Sequence, residues 1–325
     1  MSTPLSFNTL PPWPEYGLME DFTPHAEKWL SENKKVALAT LVKITGSSPR
    51  PLGSEMLISE DGEIAGYVSG GCVESAIQTE AVACIKNNTF RMLDYGANSP
   101  TLDVQLTCGG RINIFVRPIR NLADYIQIRR QAMSARQPII LVTDLNDGEM
   151  FFTSKTLPSE THLFQRTYTP KVKLILVGHD PVTLALVQLA PHFNLDIHIL
   201  RPKGPEFPPQ GIPLSQYDRR DIITALSHIQ FDQWTAVYSL THDAETDLIV
   251  AERALQSDAF CVGILGSRKK IPQKISTLKQ AGISDEVLTK LQLPAGLDIG
   301  AQTPMEIALS ILSQIIAIYR AAPVK

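Results

Sequence analysis

The sequence predicts an α/β protein of two parts: an α+β domain over residues 1–165, then a doubly wound parallel-sheet domain over residues 166–325. Three observations carry this. At 325 residues the chain exceeds one typical domain, and two of about 150 residues each is the natural division. The first half mixes strand runs, a hairpin signal and three helical stretches without a regular order. From Lys171 onward, apolar strand runs alternate with helical ones, which is the order of a doubly wound parallel sheet.

In the first half, "TPHAEKWLSENKK" predicts a helix with Thr23 as N-cap and Pro24 at the first helical position. "VALATLVKI" (36–44) is an apolar, β-branched run typical of a buried strand. "EMLIS", a turn at Asp61-Gly62 and "EIAGYV" predict a hairpin. Beyond it the period changes, and Val73, Ile77, Ala81, Cys84 and Ile85 fall on one helical face. "RINIFVRPI" (111–119) and "PIILVT" (138–143) are strands separated by the helical "LADYIQIRRQAMSAR". Between 151 and 170 the pattern weakens to strand remnants and a linker.

The second half opens with the strand "KVKLILVGHD", the helix "PVTLALVQLAPHF" and the strand "DIHILRP". The runs "WTAVYSL" and "AFCVGIL" continue the alternation. Near the end, Thr303-Pro304 starts a long apolar helix, and Glu306 three residues after Thr303 completes a capping box. That helix is apolar on more than one face, which fits either a homodimer contact or a helix buried within the domain.

Composition excludes several classes. With a net charge of −3 and no Lys/Arg-rich run, the chain lacks the footprint of a nucleic-acid binder. The N-terminus has no basic n-region or apolar h-region, and no stretch is long enough for a membrane span, so a cytoplasmic protein is expected. The four cysteines, Cys72, Cys84, Cys108 and Cys261, form no CxxC pair and no close Cys/His cluster. Reduced thiols are expected, and a structural zinc site is not.

Five stretches, three in the first half and two in the second, carry the candidate chemistry. In "TGSSPRPLGSEML" (45–57), exposed backbone N–H groups with Ser47, Ser48 and Arg50 suit a phosphate, though the stretch also reads as a plain Pro/Gly turn. In "VSGGCVESAI" (68–77), Cys72 lies at the start of a helix, where the dipole favours a thiolate. Gly70 and Gly71 there let the chain turn and a ligand approach. Glu74 sits in the first turn, either as a dipole-favoured carboxylate or as a base. In "LTCGGRINIFVRP", Cys108 precedes Gly109 and Gly110, and the thiols of Cys72 and Cys108 could converge on one soft ligand. In the second half, "SLTHDAETD" and "GILGSRKK" both follow strands, where open α/β sheets bind ligands.

These stretches together resemble the XdhC/CoxI family, the accessory factors of xanthine dehydrogenase and CO dehydrogenase. "GSSPRPLGSEMLISEDGEIAGYVSGGCVESAI" and "CGGRINIFVRP" are similar to its N-terminal part, and "THDAETD", "GILGSRKK" and "PAGLDIGAQTPMEIALSIL" to its Rossmann-like C-terminal part. The resemblance implies a cytoplasmic chaperone. It would bind molybdenum cofactor (molybdopterin), protect it while its terminal sulfur is installed, and pass it to an apo-molybdenum hydroxylase, with a cysteine desulfurase as a further partner. By position the resemblance covers Gly46, Ser48, Pro49, Arg50 and Gly53; Gly70, Gly71, Cys72 and Glu74; and Cys108, Gly109 and Gly110. In the second half it covers Thr241, His242, Asp243, Gly266, Ser267 and Arg268. Cys72 and Cys108 are the expected metal-facing thiols, as ligands or as lining. The expected site joins Arg50, Cys72 and Cys108 of one half to His242, Ser267 and Arg268 of the other.

The departure from the family lies in "VGHDPVT". Asp180 and Pro181 stand where a glycine-rich loop would bind pyrophosphate, and Pro181 has no N–H to offer. After the next strand, Arg201 stands where an acidic residue would hold a ribose. This argues against an ordinary NAD site. Arg201 is the residue type that takes a 2′-phosphate, as in NADP binding, but the altered loop argues against that too. The alternatives are an NAD(P)-dependent oxidoreductase using the second domain, a cysteine-based sulfurtransferase, and an interaction scaffold.

Overall fold

The computed structural model describes residues 21–96, 99, 109–266 and 268–321. Two compact units divide between Pro170 and Lys171. In the first, helix α1 (Thr23–Ser31) begins one residue earlier than its sequence signal: Phe22 is the N-cap, and the Asp21 carboxylate accepts the Thr23 N–H at 3.1 Å. An acid two residues upstream takes the role expected of the Thr23 hydroxyl.

Five antiparallel strands form the main sheet of this unit: β1 (Val36–Thr45), β2 (Glu55–Ser59), β3 (Ile64–Gly66), β4 (Arg91–Gly96) and β5 (Arg111–Pro118), in the order β3-β2-β1-β5-β4. Alternate residues of β1 feed two cores. Ala37, Ala39 and Leu41 pack with helix α2 (Glu74–Asn87) through Val73, Ile77, Ala81, Cys84 and Ile85, the stripe expected from sequence. Val36 and Leu38 face the opposite core, built by Trp29 of α1 and by Tyr125 and Ile126 of helix α3 (Leu122–Ser134). Burial on both faces explains why β1 reads as an unbroken apolar run.

A second, three-stranded sheet joins β6 (Ile139–Asp144) to β7 (Met150–Thr153) and β8 (Leu163–Tyr168), all antiparallel. Thus much of the stretch expected to be strand remnants and linker is paired sheet. Most residues of β7 and β8 are only partly buried, so no apolar alternation marks them. Buried polar bonds tie the two sheets: Arg117 donates to Thr40 at 3.2 Å and Thr143 at 2.6 Å, and Tyr168 donates to Glu55 at 2.8 Å.

The second unit holds six parallel strands: β9 (Val172–Val177), β10 (Leu195–Leu200), β11 (Tyr217–Asp218), β12 (Thr235–Ser239), β13 (Cys261–Ile264) and β14 (Leu291–Gln292). Their order, β11-β10-β9-β12-β13-β14, is the 3-2-1-4-5-6 order of a doubly wound dinucleotide-type sheet. Helices α4 (Pro181–Leu189) and α9 (Pro304–Ala321) pack one face; α5 (Ile222–Ser227), α6 (Ala244–Leu255) and α7 (Ile271–Gln280) pack the other. The short α8 (Asp285–Leu288) precedes β14. The expected capping box opens α9: Glu306 accepts the Thr303 N–H at 3.0 Å, and Thr303 Oγ1 accepts the Glu306 N–H at 3.3 Å. Among the described residues, no helix is long and apolar enough to cross a membrane.

Candidate functional site

Strand register gathers the first unit's candidate loops. β1 ends at Thr45, which pairs with Arg111 at the start of β5, and Arg111 also pairs with Gly96 at the end of β4. The loops beginning at Gly46 and ending at Gly110 therefore leave one edge of the sheet side by side. Their approach is main chain on main chain. A Cβ on Gly110 would lie 1.9 Å from the Ser47 carbonyl oxygen, and one on Gly96 would lie 2.3 Å from the Gly110 carbonyl oxygen. Only glycine fits there. The 67–73 loop joins the same edge, since a Cβ on Gly70 would touch Pro49 at 3.5 Å. Arg111 is anchored by Asp94, whose Oδ1 accepts from Nε at 2.7 Å and whose Oδ2 pairs with Nη2.

Glu74 shapes the Cys72 loop. Its buried carboxylate turns back beneath that loop and accepts the N–H groups of Val68 (3.3 Å), Ser69 (2.8 Å) and Val73 (3.2 Å), with the Ser69 hydroxyl at 2.7 Å. The Ser69 Oγ in turn accepts the Cys72 N–H at 3.2 Å. With its carboxylate so occupied, Glu74 holds the loop from below. Cys72 is exposed just ahead of α2, while Cys84 lies in the core, as its place on the apolar stripe predicts. Gly71 has a φ of +95°, and nothing lies within 4 Å of where its Cβ would stand, so the backbone is open to an approaching ligand. Gly109 is open in the same way. Beside them the Arg50 guanidinium stacks over Tyr67, 4.2 Å from the ring centroid, and Ser48 Oγ accepts the Arg50 N–H at 3.3 Å. Gly53, at a φ of +80°, closes the first loop near Arg166.

Nine of the expected residues thus share this edge: Gly46, Ser47, Ser48, Arg50, Gly70, Gly71, Cys72, Gly109 and Gly110, with Glu74 beneath; Gly53 lies back along β1, where its N–H donates to the Leu41 carbonyl at 2.8 Å. Cys108 lies outside the described residues. Among the described residues, no three His, Cys, Asp or Glu side chains are grouped to hold a metal ion. Tyr67, over which Arg50 stacks, is a residue of this edge that sequence reasoning misses; its one signal is an aromatic residue three positions before Gly70-Gly71.

In the second unit, Asp243 caps α6, accepting the Thr246 N–H at 3.0 Å. The Thr246 hydroxyl and backbone bonds hold its carboxyl below the usual range. His242 is exposed beside it. The buried residue of this motif is Asp247, which accepts from Ser239 at 2.7 Å, Thr241 at 2.8 Å and Lys274 at 2.7 Å. Lys274 reaches under the next loop, where a Cβ on Gly266 would lie 3.7 Å from its Nζ. This pair ties the "THDAETD" stretch to α7, which follows "GSRKK", and no sequence signal beyond its charges marks it. Ser267 and the Arg268 side chain lie outside the described residues.

The start of α4 is closed to an anion. Asp180 Oδ1 accepts the Thr183 N–H at 2.8 Å and the Thr183 hydroxyl at 2.7 Å, and Pro181 offers no N–H. Next to it, over the carboxyl ends of β9, β10 and β11, lies a cleft of about 240 Å³ lined by Gly178, His179, Leu184, Arg201, Phe207 and Tyr217 among others.

An antiparallel sheet edge of glycine loops followed by a Rossmann unit defines a two-domain α/β ligand-binding protein. Family models agree with both parts: "XdhC and CoxI family" matches residues 29–96, and "XdhC Rossmann domain" matches residues 174–315. The chain belongs to the XdhC/CoxI family. It is 30% identical over 295 residues to the molybdenum cofactor insertion chaperone PaoD of Escherichia coli K12, covering 89% of this chain and 85% of PaoD. It is 23% identical over 333 residues to a probable xanthine dehydrogenase subunit of Bacillus subtilis 168, covering 92% and 97% of the two chains. A 26% identity to YqeB of E. coli K12 spans 94% of this chain and 47% of that longer protein. A crystal structure described as a xanthine dehydrogenase from Bacillus halodurans superposes with a TM-score of 0.75 at 22% identity, covering 93% of this chain and 96% of that one, and so shares the fold.

Proposed function

We propose that this chain binds molybdenum cofactor as cargo, protects it, and delivers it to a molybdenum hydroxylase of the xanthine dehydrogenase type. One observation carries the reading. Three glycine loops meet at one sheet edge, with an exposed thiol, a stacked arginine and open backbone between them. These groups fit the cargo. Arg50 and the Ser47 and Ser48 hydroxyls suit its phosphate, open glycine backbone suits the hydrogen-bonding pterin, and the Cys72 thiol suits a sulfur-rich metal centre. The similarity to PaoD, a molybdenum cofactor insertion chaperone, supports the same reading.

The reading extends to Cys108 as a second thiol and to His242, Asp243, Gly266, Ser267 and Arg268 as the second unit's contribution. It places the protein in the cytoplasm as a homodimer, working with a cysteine desulfurase. The deciding experiment is anaerobic binding of molybdenum cofactor to the purified chain, followed by co-eluting molybdenum and pterin fluorescence. Stoichiometric loading is expected, lost in Cys72→Ala or Cys108→Ala and weakened in His242→Ala. Failure of the wild-type chain to bind a cofactor shown to be intact would overturn the reading. Sizing the same preparation, with and without a desulfurase, tests the dimer and that partner.

A further inference from the structure

None of the residues lining the cleft over β9, β10 and β11 is among those assigned to the cargo site above. We propose that this cleft binds a nucleoside carrying a phosphate monoester on its ribose, with the phosphate seated on Arg201 and the start of α4 left unused.

Position is the first argument. In a sheet of this order, nucleotides lie outside the carboxyl ends of the strands, with the ribose beside the end of the second one. Here the second strand is β10, and Arg201 follows its last residue, Leu200. A carboxylate there would accept the hydroxyls of a bare ribose; a guanidinium donates instead, and to an anion.

Arg201 is also prepared for the task. Gly204 packs against its aliphatic stem so tightly that a Cβ on Gly204 would lie 2.8 Å from both Cγ and Cδ. The stem is thus held in place. Among the described residues its guanidinium has neither a hydrogen bond nor an ion pair, and the Lys203 ammonium beyond it is likewise unpaired. The neighbouring carboxylate, Asp218, is already taken by Arg220 at 3.0 Å.

The rest of the cleft selects size and shape. Its volume of about 240 Å³ falls below the roughly 300–1,000 Å³ of drug-sized sites, which suits one nucleoside rather than a whole dinucleotide. Leu184, Ile199, Phe207 and Tyr217 supply apolar and aromatic walls for a flat base. The proline-rich strap bearing Phe207 is tied down where Tyr217 Oη donates to the Pro205 carbonyl at 3.0 Å. A pyrophosphate is disfavoured, because the Asp180 carboxylate occupies the place where it would meet helix N–H groups.

The test is calorimetric titration of the full chain with 2′-AMP, NADP⁺, NAD⁺ and inorganic phosphate. We expect 2′-AMP to bind saturably, with NAD⁺ and phosphate each at least about tenfold weaker. Arg201→Gln should weaken 2′-AMP by about tenfold or more while Arg201→Lys retains part of the affinity, as loss of a charge-assisted pair requires. Asp180→Asn keeps a helix-capping side chain while removing the negative charge, and should strengthen NADP⁺ severalfold with 2′-AMP unchanged. Circular dichroism and thermal melting establish that each variant is folded. The proposal is overturned if 2′-AMP does not bind, if NAD⁺ or phosphate binds as tightly as 2′-AMP, or if folded Arg201→Gln binds 2′-AMP like the parent. None of these results bears on cargo binding by the first unit.

Discussion

Ser69 is bound twice by Glu74, through its amide to Oε1 at 2.8 Å and through its hydroxyl to Oε2 at 2.7 Å. The turn that presents Cys72 therefore hangs from one buried carboxylate. Glu74→Ala leaves three N–H groups without their acceptor and should cost about 3 kcal/mol by urea unfolding, with Glu74→Gln in between. If Glu74→Ala were as stable as the parent, the carboxylate would not be what holds the turn.

Gly110 offers a sharper contrast. Gly110→Ala drives a methyl into the Ser47 carbonyl and should destabilise by about 1–3 kcal/mol while separating the two loops. Gly71→Ala meets only open space and carries the left-handed backbone penalty of about 1–2 kcal/mol. Cofactor loading should fall further for Gly110→Ala, at matched folded fraction, because it moves two loops rather than one.

Asp94 predicts an acid limb. The Arg111 guanidinium beside it holds its carboxyl below the usual carboxylate range. The folded state then takes up this proton less readily than the unfolded chain. The pair's stabilisation is complete above about pH 4 and fades as pH falls through the lower, folded-state value. Chemical unfolding of Asp94→Asn against the parent at stepped pH should show the difference between them shrinking on acidification. A difference that stays constant would exclude the pair as its source.

The thiols should separate by burial. Cys261 is pushed up to about 11 by burial, and burial raises Cys84 as well, whereas Cys72 is exposed. Brief alkylation at pH 8 followed by peptide mapping should label Cys72 and spare Cys84 and Cys261 until denaturant is added. Rapid labelling of Cys261 in the native protein would contradict its burial beside Tyr238.

Lys274 and Asp247 form a buried ion pair, with side chains 13% and 3% exposed. Lys274→Met strands the carboxylate and should cost about 3 kcal/mol in thermal or urea unfolding, while adding Asp247→Asn should recover most of that loss. Equal instability of the single and double variants would show that the lysine acts through packing rather than charge.

The parts of the fold legible in the sequence are those with a strong local signature. The unbroken run of β1, the α2 stripe from Val73 to Ile85 and the Thr303/Glu306 box each express one local rule. β7 and β8 escape because half-buried strands show neither alternation nor a continuous apolar run. At the site, glycines announce the loops, since positions such as Gly71 and Gly110 exclude any other side chain in that conformation or space. What local sequence does not convey is direction: Glu74 turns inward, Asp180 folds onto its own helix, and Lys274 crosses to Asp247. Each choice is made by a neighbour supplied by the fold.

Gly110 meets Ser47 through the main chain, so the join is blind to which side chain residue 47 carries. Mutational drift can exchange the hydroxyls at 47 and 48 while the path of the chain survives. The edge thereby separates shape, written in glycines, from selectivity, written in their neighbours. A library randomised at 47 and 48 with the glycines held fixed would alter what the edge prefers without having to rebuild it.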